Sequence, residues 1–226
     1  MNETIRTILF RRSVRAYTDE HVPAELLETI LNCGIYAPSG GNHQEVRLTA
    51  LTNPEHIETL RMLVWQEFKK MEPRENQYMN IAVNNARTKK DYNFTFGAPV
   101  LVIASGPEGW PNGMADSALA LGNVMLAATS LSLASCYVNQ LHWLDGNEAV
   151  RGYLAQLGLP REESIYGTVV HQRGAPQCRP AQGRAYPHSP LTSQPILPLP
   201  FSHQKRQEDS LKSMMKPRPF SSMIDT

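Results

Sequence analysis

Residues 11–44 read RRSVRAYTDEHVPAELLETILNCGIYAPSGGNHQ. The stretch opens on Arg11, Arg12, Ser13 and Arg15, three guanidinium groups and a hydroxyl within five residues. Such a run forms either a fork-shaped phosphate cradle or a solvated basic face. Pro23 then predicts the start of a helix, with Leu26, Leu27, Ile30 and Leu31 on one side and Gly34 near its end. The stretch closes on Ala37-Pro38-Ser39-Gly40-Gly41-Asn42-His43-Gln44. Paired glycines let backbone N–H groups approach a flat ligand while Ser, Asn and Gln offer polar contacts, though a plain helix-to-strand turn uses the same residues.

The periods on either side continue the alternation. Upstream, Ile5, Ile8 and Leu9 predict a short amphipathic helix running into Arg11. Downstream, Val46, Leu48 and Ala50 alternate as in a strand over 45–52. Asn53 and Pro54 then open a helix striped by Ile57, Leu60, Val64 and Phe68, through about Met71. Residues 72–96 read as a polar surface excursion, and 98–105 as a strand covered on both faces. A helix is expected over 114–131, strands near 136–138 and 166–170, and a helix over 147–157 closed by Gly158. From Ser117 to Leu141 no residue is formally charged, enough chain to cross a bilayer. Its interior Gly, Asn, Ser and Thr residues and its lack of basic flanks favour burial inside a protein or at a subunit interface. The pattern is that of one α+β domain.

Composition bounds the function. The 226 residues are 41% hydrophobic and 19% charged, with a formal net charge of +1, which implies neither a nucleic-acid footprint nor a membrane surface. Three scattered cysteines suit a reducing compartment, hence a cytoplasmic location, and the opening residues do not read as a signal peptide. A seam follows Val170. Residues 171–226 hold nine of the 17 prolines, no valine and eight basic against three acidic side chains. They read as a mostly irregular, basic, proline-rich tail. The sequence has no G-x-G-x-x-G, P-loop or G-x-S-x-G motif, and its seven histidines form no pair at metal-ligand spacing. If the chain is an enzyme, a bound organic cofactor is expected to carry the chemistry.

Element by element, residues 11–44 resemble the start of the nitroreductase family. That family has a helix, Arg-x-Ser-x-Arg-x-Tyr/Phe, a helix beginning near a proline, and Ala-Pro-Ser-x-x-Asn-x-Gln. The likeness continues through FTFGAPVLVIAS, ADSALALGNVMLAATSLSLASCYVNQL and LGLPREESIYGTVV, covering about residues 1–170. The resemblance implies a three-layer α/β/α sandwich, a two-fold homodimer with a long buried central helix, and two sites at the subunit interface. It implies noncovalent FMN, reduced by NADH or NADPH, and a small acceptor such as a nitroaromatic or quinone, served in ping-pong order. Arg11, Arg12 and Ser13 match its phosphate and ribityl contacts, and Arg15 the basic residue near the flavin pyrimidine edge. Pro38, Ser39, Gly40 and Asn42 match the segment laid down by the partner subunit, with Gln44 beside them. Asn139 and Gln140 fall where the family places groups near flavin N5. No catalytic side chain and no metal is implied.

Three departures accompany the likeness. Glu45 replaces the usual proline after the glutamine. The excursion 72–93 has no clear counterpart; Tyr78, Tyr92, Phe94 and Phe96 in or beside it either line the flavin face or pack the core. Beyond Val170 the resemblance stops at one residue, the pattern either of a frame-altered replacement of the family's C-terminal arm or of a lineage-specific extension, which leaves Arg173, Arg179 and Arg184 without a match. Two other readings remain: a flavin-binding protein without turnover, and an interaction protein acting through its proline-rich tail.

Overall fold

The computed structural model describes residues 1–17, 20–75 and 77–173. The tail beyond Arg173, and with it the expectation of an irregular, frame-altered segment, lies outside the described residues.

Asn2 accepts a hydrogen bond from the Ile5 amide and starts helix α1, Glu3–Phe10. No α1 residue is buried, so Ile5, Ile8, Leu9 and Phe10 form an exposed apolar stripe. Helix α2, Ala24–Ile35, follows Pro23 as expected and buries Ile30, Leu31 and Gly34. A Cβ on Gly34 would stand 2.5 Å from Leu48 Cδ1 and 2.7 Å from Val124 Cγ2, so three elements meet at the missing side chain. Strand β1, Arg47–Leu51, leads to α3, Pro54–Lys70, where Asn53 caps the Glu55 amide and Ile57, Leu60, Val64 and Phe68 form the buried stripe.

The segment read as a surface excursion is instead part of the outer layer. It carries helix α4, Asn80–Thr88, whose Ala82, Val83 and Ala86 are buried against α3, with the Trp65 indole N–H donating to Ala86 O at 2.8 Å. Small apolar residues among asparagines gave too weak a stripe to announce a packed helix. Tyr92 and Phe94, just beyond, are also buried.

Strand β2, Val100–Pro107, is buried along nearly its whole length. Helix α5, Gly113–Ser130, precedes strand β3, Leu133–Val138; the short helix α6, Gln140–Trp143, and α7, Glu148–Gln156, precede strand β4, Glu163–Arg173. The sheet order is β1-β2-β4-β3, with every neighbouring pair antiparallel. Helices α2 and α5 cover one face through Leu31 and Leu121 against Val100, Val102 and Val169, and through Ile30 and Val124 beside Leu133. Helices α3, α4 and α7 cover the other through Leu60, Phe68, Ala86 and Leu154 against Leu101, Ile103 and Val170. The described residues therefore form a three-layer α+β sandwich.

Helix α5 buries Ser117, Ala120, Leu121, Val124 and Ala128 against its own chain, while Met114 and Leu119 stay half exposed. A Cβ on Gly122 would meet nothing within 4 Å. Helix α5, uncharged beyond Asp116, thus has one face in the core and one uncovered. Among the described residues, no helix is long and apolar enough to cross a membrane. Strand β4 runs three residues past Val170, carrying His171 and Gln172 into the interior at 0% exposure.

Candidate functional site

After α1 the chain extends and joins the edge of the sheet. Ser13 makes a parallel bridge to Ser135, and the Val14 amide donates to Ser135 O at 3.0 Å. The Tyr17 hydroxyl turns back to Val14 O at 2.7 Å, and burial pushes that phenol upward. Arg12 Nη1 donates to Leu9 O and Arg11 O, both at 2.7 Å, closing the C-terminus of α1. Its Nε is buried with no hydrogen-bond partner among the described residues. None of the ion pairs among the described residues uses Arg11, Arg12 or Arg15. The Cys136 thiol is pushed up by burial, opposed by Arg15, by a Ser13 hydrogen bond and by Arg11, so three of the predicted residues surround one point of β3.

Beside that point opens a cleft of about 710 Å³. Arg15, Cys136, Val138, Asn139 and Gln140 line one wall, and Tyr92, Asn93 and Phe96 another. Tyr78 and Trp143, edge to face at 5.8 Å between ring centres, stand at the rim. Among the described residues, Asn139 Oδ1 and Gln140 Oε1 are buried without partners. Buried acceptors left unpaired are costly, and here both belong to side chains that line a cleft. Of the aromatic residues singled out from sequence, Tyr78, Tyr92 and Phe96 line the cleft, whereas Phe94 is buried in the core.

The Pro38–Gln44 loop lies elsewhere. A 3-10 turn over Gly40–Asn42 puts Gly41, Asn42 and Gln44 in the left-handed region, at φ of 58°, 58° and 57°. The Ser39 hydroxyl accepts from the Gln44 amide at 3.0 Å, and the Gly40 amide donates to Asp116 Oδ1 at the start of α5. Pro38, Gly41, Asn42, His43 and Gln44 are exposed. The loop runs into β1 at one edge of the sheet, where Glu45 O approaches Gly106 near the end of β2. Ser13 sits at the opposite edge, on β3, level with His171 and Val100 at the start of β2. Three strand spacings, roughly 14 Å, separate the edges, and the length of β2, roughly 23 Å, separates the ends. Within one chain the predicted residues therefore form two clusters. Arg15, Asn139 and Gln140 line the cleft, and Arg11, Arg12 and Ser13 precede Arg15 along the same edge of the sheet; Pro38, Ser39, Gly40, Asn42 and Gln44 do not join them.

Sequence reasoning missed Cys136 and Asn93 at the cleft, for which no local pattern exists, and Asp116, whose role depends on a contact 76 residues away.

A family described as "Nitroreductase family" matches residues 8–171. Among curated proteins, "FMN reductase (NADPH)" of Bacillus subtilis is 25% identical over 138 residues, covering 61% of this chain and 54% of its own. The chain thus spans about half the length of that relative. "NADPH-flavin oxidoreductase" of Vibrio harveyi is 27% identical over 186 residues, 80% of this chain and 70% of the relative. Among solved structures, a nitroreductase with bound FMN from Bacteroides fragilis is 32% identical with a TM-score of 0.75, covering 86% of this chain and 100% of that one. A second, from Desulfitobacterium hafniense, also with bound FMN, is 26% identical with a TM-score of 0.66, covering 80% and 93%.

Proposed function

Because the chain belongs to the nitroreductase family, we propose that it is an FMN-dependent oxidoreductase. It uses NADH or NADPH to reduce a small acceptor, a nitroaromatic, a quinone or a similar molecule. The observation that carries this reading is a cleft lined by Arg15, Asn139 and Gln140, in which Arg15 has no ion pair and the buried acceptors Asn139 Oδ1 and Gln140 Oε1 have no partner among the described residues. The names of its relatives support it, and so does the FMN in the Bacteroides fragilis structure.

The donor set fits a phosphorylated, planar, N–H-bearing group. Arg11 and Arg12, with the Ser13 hydroxyl, would hold the phosphate and the polyol, since guanidinium forks match phosphate oxygens. Arg15 would face the pyrimidine edge and hold positive charge where reduction deposits negative charge. Asn139 and Gln140 would accept from ring or amide N–H groups. Bound FMN would supply the two-electron chemistry that links the nicotinamide to the acceptor. The residues lining the cleft then have only to orient, and no side chain is required as acid or base. Because both substrates would use one cleft in turn, the order would be ping-pong.

The second cluster gives the reading its assembly. Pro38, Ser39, Gly40, Asn42 and Gln44 would serve the cleft of a second copy in a two-fold homodimer. The uncovered apolar residues of α1 and of α5 at Met114 and Leu119 supply a surface for it. A cytoplasmic location follows from the scattered cysteines. Residues 1–170 would form the FMN-binding domain, and 171–226 a frame-altered replacement of the family's arm. In support of the latter, His171, the last residue of the family match, is buried with neither ring nitrogen hydrogen-bonded among the described residues. Translating the coding DNA in the other two frames tests it, since stop codons in both would end the idea.

The functional reading is tested by titrating the purified protein with FMN and then adding NADPH or NADH without oxygen. Saturable binding followed by bleaching of the flavin absorbance is expected. Failure to bind FMN overturns the reading; binding without bleaching by either nicotinamide leaves a flavin-binding protein only.

A further inference from the structure

The cleft wall from Tyr92 to Gly97 is held from behind. Asp91 binds Arg61, and a second bond from the same guanidinium, at 3.2 Å, fixes Tyr92 O. Phe94 is sunk in the core at 1% exposure. Asn93 Oδ1 accepts from both the amide and the hydroxyl of Thr95, at 2.9 and 2.8 Å, and closes a tight turn. The next residue, Phe96, takes a φ of 56°, followed by Gly97 at 79°. A bulky aromatic residue is rarely found in the left-handed region, and it persists there only when its surroundings overdetermine it. The outcome is that Phe96 lines the cleft rather than following Phe94 inward.

Each of the two rings facing the cleft meets one residue of the cofactor cluster. The Tyr92 hydroxyl accepts a hydrogen bond from Gln140 Nε2 at 2.9 Å, leaving Gln140 Oε1 buried and unpaired at the cleft. The Phe96 ring lies under the Arg15 guanidinium, 5.8 Å from its carbon, and Arg15 has no ion pair among the described residues. A long side chain beside an open cleft loses much rotamer freedom on binding; a partner that holds it beforehand reduces that loss.

We propose that Tyr92 and Phe96 are positioning residues that preset Gln140 and Arg15 for the cofactor, so that a segment outside both binding motifs sets how tightly FMN is held. The proposal rests on FMN being the ligand of the cleft, and its test separates the two.

FMN affinity is measured by flavin fluorescence on the full chain, alongside melting temperature, for Tyr92→Phe, Phe96→Leu, Gln140→Ala, Arg15→Ala and the doubles Tyr92→Phe/Gln140→Ala and Phe96→Leu/Arg15→Ala. The visible spectrum of the bound flavin is recorded for each. Tyr92→Phe and Phe96→Leu should each weaken FMN about two- to tenfold. Neither should weaken it further once its partner is already Ala, because only then is the effect transmitted through that partner. Phe96→Tyr, which keeps the ring over Arg15, should bind as the unaltered chain does, whether or not Phe96→Leu folds. Additive effects in both cycles, or unchanged affinity in Tyr92→Phe and Phe96→Leu, overturn the positioning role while the functional reading stands. An unaltered chain that takes up no FMN overturns the functional reading and this proposal with it.

Discussion

The Gly40 amide donates to Asp116 Oδ1 at 2.9 Å across 76 residues of sequence, and Asp116 Oδ2 takes the Trp110 indole N–H at 3.2 Å. One carboxylate at 4% exposure thus ties the glycine loop to the start of α5. A Cβ on Gly40 would stand 1.8 Å from Asn112 Nδ2, so the loop is also pressed against that helix sterically. Asp116→Ala leaves two donors without their acceptor, at a cost of about 1–3 kcal/mol. A lower melting temperature is expected, and faster proteolysis within 38–44. An unchanged melt would mean that the loop is held by its own turns alone.

Arg15 is predicted to contribute a charge-assisted contact to the flavin. Arg15→Ala should lose about 1.5–3 kcal/mol, or ten- to a hundredfold in FMN affinity, while circular dichroism stays that of the unaltered chain. Unchanged affinity would return the Arg11–Arg15 run to the solvated basic face that its sequence equally allows.

Leu119 is half exposed on the uncovered side of α5. Leu119→Asp should leave the folded chain intact but shift its sedimentation from dimer to monomer at micromolar concentration, because a charge in an apolar contact is costly to bury. A variant that sediments as the parent does would exclude this face of α5 from the interface. Met125 would be a poorer probe, since it packs against the chain's own α2–α5 cluster.

His171 stands opposite Ser135 on one side and Val100 on the other, buried without a hydrogen-bond partner among the described residues, and burial pulls its pKa from 6.5 down to about 3. The folded chain holds it neutral, whereas the unfolded chain takes up a proton below pH 6.5. Its contribution is therefore fully present above that pH and is lost as pH falls toward 3, by about 1.4 kcal/mol per unit. His171→Leu should flatten the decline in melting temperature between pH 6.5 and 4. Parallel declines in the two proteins would show that carboxylates alone set the acid limit.

Periodicity located most of the sandwich because its helices and strands have strong stripes. The apolar run at 98–105 and the capped stripe from Asn53 to Phe68 needed no tertiary information to be recognised. Helix α4 was missed because its buried side is two alanines and a valine, which bind by close approach rather than by bulk. The cleft was legible only in part. Arg15 and Gln140 belong to local motifs, but what holds them, Phe96 and Tyr92, depends on a left-handed residue and on a contact 48 residues apart, neither of which has a one-dimensional signature.

The Arg11–Arg15 and Pro38–Gln44 clusters occupy opposite corners of one sheet, and that separation has a genetic consequence. In the proposed homodimer every flavin belongs to two polypeptides, so no single gene copy owns a site. Loss-of-function alleles would then sort into two complementation groups, one for each cluster. Coexpressed Arg15→Ala and Asn42→Ala chains would pair to give one doubly damaged site and one intact one, restoring about a quarter of the normal sites under random pairing. Two alleles from the same cluster would restore none, however abundantly both chains were made.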